Sequence, residues 1–239
     1  MVVSNPLYQR ATELAAGLDE VPLGRERVRG ARKWAAYSIN ETRAFLRDYA
    51  RLSEQGTFSE KELATMLANS MVETGSFLFS AGAPAESWRA WLALAARALP
   101  RAGEPGYAMQ LAAIARSPDE DAAFRDAAPT GFRDQAIQSI LFHAGQRQPA
   151  DPPVNHPLDD RYAELREAVA RDDVPAISSI VNRIARFWLD ETGYGPFQPH
   201  EAPVFEPEIN AVVASLTGRG MNLELADAKV RRFLQAGLE

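Results

Sequence analysis

Residues 159–192 constrain the fold more tightly than any other stretch of the chain. Tyr162, Leu165 and Val169, and then Ile177, Ile180, Val181, Ile184 and Trp188, recur at intervals of three and four. A strand places its apolar residues at every second position, so this period admits only helices with one buried side. Between the two runs stands Asp172-Asp173-Val174-Pro175, room for a tight reversal and nothing more. The stretch therefore reads as a helical hairpin. Its length invites comparison with tetratricopeptide repeats of about 34 residues. With Tyr162 at the Trp position, Leu165 and Ala185 fit, but the Gly, second Tyr, Phe and Pro positions do not.

The remainder is written in the same period. Ser4 or Asn5 caps a first helix that opens at Pro6, carries Leu7, Ala11 and Leu14 on its apolar side, and ends at Gly17. A longer helix is expected from Arg25 to Leu52, burying Trp34, Tyr37, Phe45, Tyr49 and Leu52. Arg25, Arg27, Arg29, Arg32 and Lys33 load its first turns with charge that the helix dipole disfavours, which reads as a solvated face or a docking surface for an acidic group. Ser59 and Glu62 form a capping box for a helix continuing through Phe77 and Phe79. Pro84 opens a core helix with Trp88, Trp91, Leu92, Ala95 and Leu99, stopped at Pro100. Short helices are expected over 104–116, 119–127 and 130–145, and after the hairpin from Pro207 and through Val230, Phe233 and Leu234 to Gly237. This is an all-α chain: an irregular stack of about eleven antiparallel helices and hairpins, not a regular repeat array.

One helical domain over 1–239 is expected, with a subdivision into 1–147 and 158–239 at the proline-rich segment 148–157. Net charge is −6, distributed as +3 over residues 1–52, −3 over 53–150 and −6 over 151–239. Such a balance does not suit a nucleic-acid binder, and it makes the last third the part fitted to a basic protein partner. With no cysteine there is no disulfide, thiol catalysis or Cys-bound metal. No leader or long apolar run is visible, so the expected place is the cytoplasm, without a membrane span.

The search for chemistry returns little. His143, His156 and His200 share no helix and no His-Glu-x-x-His spacing, so neither a metal site nor a cofactor is expected. Serine-nucleophile elbows, phosphate loops and dinucleotide glycine patterns are absent. Adjacent acids such as Asp159-Asp160, Asp172-Asp173 and Asp190-Glu191 point about 100° apart on a helix, a poor arrangement for paired acid and base. Asp159 and Asp172 read as helix caps, and Glu73 as an exposed or hydrogen-bonded carboxylate within an apolar helix. Trp34, Trp88, Trp91 and Trp188 all lie on helical stripes and are expected in the core. Tyr194 and Phe197, in the proline-rich piece that follows the hairpin, are the expected exposed aromatics beside Glu191, Glu201 and Glu206.

Three features belong together. They are the Ala-rich WRAWLALAARAL, the hairpin REAVARDDVPAISSIVNRIARFW, and the loop YGPFQP leading to INAVVASLTGRG. Across about residues 88–220 the chain resembles the all-helical immunity proteins of bacterial polymorphic-toxin systems. That resemblance implies a cytoplasmic, non-enzymatic protein that binds one cognate toxin and blocks its active site. The alternatives are a helical adaptor for a peptide or protein and, further off, an enzyme with an unfamiliar helical site. The expected partner-binding residues are Asp159, Asp160, Asp190, Glu191, Tyr194, Phe197, Glu201 and Glu206.

Overall fold

The computed structural model describes residues 5–27, 29–116, 132–142, 157–192 and 206–239, except for the side chains of 191 and 192. Every regular element among them is helical. The helices gather into two compact units that part between Glu104 and Pro105.

The first unit holds α1 (Pro6–Ala16), α2 (Ala31–Gln55), α3 (Glu60–Ser80) and α4 (Ala85–Ala102). Asn5 caps α1, its Oδ1 accepting from the Leu7 amide at 3.0 Å. The Ser59–Glu62 capping box opens α3, which runs unbroken through Phe77 and Phe79. Trp88, Trp91, Leu92, Ala95 and Leu99 of α4 are buried as expected. Pro100 does not stop that helix. It faces outward, and the helix continues to Ala102 before the chain turns at Gly103, where a φ of +86° suits a residue without Cβ.

Helix α2 departs most from the expected layout. It starts at Ala31, after Gly30 has taken a φ of +80°. Of the five cations only Arg32 and Lys33 therefore lie in its first turn. The Glu26 carboxylate reaches back to accept from the amides of Arg32 (2.9 Å) and Gly30 (3.3 Å), which supplies the negative charge a helix start favours. Those hydrogen bonds, the Arg32 amide first, hold Glu26 below its ordinary range. Two of the cations are structural. Arg32 donates to the carbonyls of Leu23 and Gly24, and Arg27 donates to the Phe79 carbonyl and lies over the Phe79 ring.

The buried stripe of α2 is also rotated. It reads Ala31, Ala35, Ser38, Thr42, Leu46 and Tyr49, one position along from the expected Trp34 and Tyr37, which face solvent. The cause is close approach to α3. Thr42 shares hydroxyl hydrogen bonds with Ser70 (2.7 Å) and Thr74 (2.8 Å), contacts that bulky aromatics in that seam would prevent. Phe45 and Leu52 are half-buried beside it.

The second unit holds α5 (Pro105–Ala115), α6 (Phe132–Phe142), α7 (Pro157–Ala170), α8 (Val174–Thr192), α9 (Pro207–Gly218), α10 (Ala228–Phe233) and α11 (Gln235–Leu238). Helix α9 is its axis, packed against α5, α6, α8 and α11. The expected hairpin is α7–α8. Tyr162, Leu165, Val169, Ile177, Ile180, Val181 and Ile184 are buried along it, while Trp188 is half-buried. Helices α6 and α7, on either side of the proline-rich segment 148–157, pack on one another. Residues 148–156 of that segment, the expected helix 119–127 and the three histidines lie outside the described residues. The last helix is interrupted at Leu234, and Gly237 sits inside α11 against α9, where its amide donates to Asn210 Oδ1 at 2.9 Å.

No described helix is long and apolar enough to cross a membrane. Gly75 marks the crossing of α3 and α4. A Cβ there would stand 2.7 Å from Leu92 Cδ2 and 3.1 Å from the Trp88 carbonyl oxygen. Gly75→Ala gains helix propensity but overpacks this crossing, and we expect a net loss of about 1–2 kcal/mol, read as a lower urea midpoint at unchanged slope.

Candidate partner-binding cleft

The hairpin's outer edge follows from its turn. Residue 172 takes a φ of +51°, the amide of Asp172 donates to Val169 O, and that of Asp173 donates to Ala168 O. This is a left-handed helix ending with Asp where Gly is usual, a substitution Asp tolerates because its side chain is short and polar. Asp173, not Asp172, then caps α8, its Oδ1 accepting from the Ala176 amide at 3.1 Å. With the reversal fixed, the start of α7 lies beside the end of α8.

That juxtaposition brings Arg161 against Phe187. The guanidinium carbon stands 5.1 Å from the ring centroid, and Nη1 donates to the Arg183 carbonyl at 3.3 Å. Asn182, Arg183, Arg186, Phe187 and Asp190 recur on one side of α8 at helical spacing. Together with Arg161 and Ala226 they line an open cleft of about 360 Å³.

The far wall is irregular chain held by α8. Asn182 Nδ2 donates to the Glu224 carbonyl and its Oδ1 accepts from the Ala226 amide, both at 2.8 Å, while Ser178 Oγ accepts from the Glu224 amide at 3.1 Å. Arg186 reaches Asp227, which also caps α10 by accepting from the amides of Lys229 and Val230. These contacts, the Val230 amide first, hold the Asp227 carboxyl below its ordinary range. Arg183 pairs with Glu164 at 2.6 Å, both side chains about half exposed. Exposed pairs of this kind contribute little to stability, about 0–1 kcal/mol, so an incoming charged group can replace one partner at small cost.

The expected binding residues divide. Asp190 lines the cleft, and Asp160 lies on the outward side of α7 with Glu164 and Glu167, all exposed. Glu191 falls in the last turn of α8, its side chain outside the described residues, as are Tyr194, Phe197 and Glu201. Asp159 belongs to the interior and Glu206 is half-buried. Asp159 is the third residue of α7 instead of its cap and is 4% exposed, accepting from Arg133 Nε at 2.9 Å. Arg133 also meets Glu208 at 3.3 Å. Glu206 caps α9, accepting from the Glu208 amide at 3.4 Å. Burial, with Glu208 adjacent, pushes its carboxyl up to about 7, and burial also raises Glu208. Burial and the nearby Glu206 push Tyr107 up to about 12.

Reading by sequence missed Arg161, Arg183, Arg186 and Phe187 as a set. The signal was present in NRIARFWLD, where Arg183 and Arg186 flank the buried stripe of α8 and Phe187 lies at its edge, but it looks like any solvated face until α7 is laid against it. Glu73 is exposed, as expected. No family model, curated protein or solved structure matches the chain.

Glu206 sets a pH dependence. Glu206 binds its proton more tightly folded than unfolded, so its contribution is fully present below its ordinary 4.5 and is lost as pH rises through about 7. The groups held low, such as Glu26 and Asp227, titrate below that window. Urea unfolding of wild type and Glu206→Gln at pH 5 and pH 8 isolates the effect, since the histidines are common to both proteins. The wild type is expected to lose more stability between the two pH values than the variant.

Proposed function

We propose that the chain is an immunity protein, which binds a cognate bacterial toxin in the cytoplasm and neutralises it by occupying its active site or the approach to it. One observation supports this reading: the concave, arginine- and aromatic-lined cleft at the open edge of the hairpin. Arginine and aromatic side chains dominate binding energy at protein interfaces. Here Phe187 is half-buried, Arg161 stacks on it, and Asp190 stands one turn further along α8. The exposed carboxylates Asp160, Glu164 and Glu167 form a rim of acidic charge on α7, one of the charged faces by which a basic toxin surface would be drawn in.

The reading places the contact in the stretch that carries the family resemblance. It also alters the expected chemistry, because the cleft combines three arginines with acidic neighbours and so suits a toxin surface that presents both signs of charge.

Co-expression with the toxin encoded beside it tests the function. Growth rescue and a stable complex are expected, and failure of both overturns the reading. Phe187→Ala and Asp190→Lys should each raise the dissociation constant about tenfold or more, measured by calorimetry. Unchanged affinity in both would move the contact off the cleft. A stable complex with some other protein, without rescue, would make the chain an adaptor.

A further inference from the structure

Helix α2 of the first unit presents a second surface. Trp34 is 44% exposed and Tyr37 58%, the large apolar side chains most open to solvent among the described residues. They are held in place. The Trp34 ring stacks on Phe77 of α3 with centroids 6.3 Å apart and planes 17° from parallel, and it meets Tyr37 edge to face, also at 6.3 Å. A ridge ordered before binding forfeits little side-chain entropy on contact, so its apolar area is available to an interface.

The charges around it are arranged with a direction. Lys33 lies four residues before Tyr37 and Glu41 four residues after, all three exposed along the same side of α2. A surface for a uniformly acidic partner would be opposed by Glu41, and one for a uniformly basic partner by Lys33. Laid antiparallel about Tyr37, however, a second α2 brings its Glu41 to Lys33 and its Lys33 to Glu41. The face is complementary to itself, and a two-fold contact uses each pair twice. A parallel arrangement would set Lys33 against Lys33.

We infer that this face is a two-fold dimerisation surface: α2 packs antiparallel on α2 of a second copy, Trp34 and Tyr37 of each crossing at the centre, with a Lys33–Glu41 pair at either end. The occupant is another molecule of this chain. The aromatics supply the buried apolar area, and the charge pairs set direction and register. Because the pairs lie at the rim, salt weakens the direction-setting contribution more than the aromatic one.

Sedimentation velocity of the full chain over a concentration series tests the inference. A reversible monomer–dimer equilibrium is expected, with Tyr37→Ser and Trp34→Ala each raising the dissociation constant about tenfold or more. Lys33→Glu sets like charges at both ends and should weaken the dimer, as should Glu41→Lys. The two together should restore it. All four side chains are exposed, and matching circular dichroism spectra and Tm values would establish that every variant folds. A chain monomeric up to about 0.5 mM overturns the inference and leaves the ridge to a different protein. A dimer that survives Tyr37→Ser and Trp34→Ala places the contact elsewhere, and a double swap that fails to restore dimerisation rules out the antiparallel pairing.

Discussion

Arg133 is the interaction on which the second unit depends. A guanidinium brought largely out of water must recover its lost hydration from fixed acceptors, and Arg133 finds them on two other helices, Asp159 of α7 and Glu208 of α9. Three helices separated in sequence are thereby fixed at one point near their ends. Removing either carboxylate would withdraw one of the acceptors that offset the guanidinium's lost hydration, a destabilising change even though the other remains. The unit's further geometry follows from this anchorage. With α7 and α9 set, α8 is laid between the hairpin turn and the α10 cap, and the cleft opens along its outer edge. Arg219 repeats the device at the far end of α9, where its guanidinium donates to the Ile140 carbonyl of α6 at 2.8 Å.

The first unit solves its packing differently. Its seam between α2 and α3 is made from Ala, Ser and Thr, and its α3–α4 crossing from a glycine against Leu92. Small residues allow backbones to approach, and hydroxyls that would be costly if unpaired find one another across the seam. A consequence is that Trp34 and Tyr37 of α2 are displaced outward, while Tyr49 further along stays buried. An interior built on small residues leaves Trp34 and Tyr37 without a core position, and their exposure is a result of the packing before it is a feature of any contact.

The hairpin carries both frame and surface. Its inner stripe of Leu, Ile and Val serves the core, while the outer residues that share the same two helices, Arg161, Arg183, Arg186, Phe187 and Asp190, build the cleft. The paired acids that drew attention by composition turn out to have unlike roles. Asp159 is an interior ion-pair partner and Asp160 an exposed one-step neighbour, separated by the 100° between adjacent helical positions. Asp172 and Asp173 divide as a left-handed helix ending and a cap. Adjacent identical residues thus serve different purposes, and no count of charge could distinguish them.

Local signals were legible in the sequence because their causes are local. Helical period, the Ser59–Glu62 box, the Asn5–Pro6 start and the hairpin reversal are determined within a few residues, and so the all-α class and the positions of most helices could be read directly. The rotation of α2 was not legible, since both Trp34–Tyr37 and Ala35–Ser38 fit a 3.6-residue period. Only the closeness of α3 chose between them. Nor was the division between units: prolines mark where a chain cannot be helical, whereas a unit ends where contacts thin out. The sequence by itself determined which segments would be helices and that they would bury one side. Tertiary structure decided which side, which carboxylates would be ion-paired inside, and which arginines would converge on one cleft, because these depend on side chains distant in sequence competing for the same space.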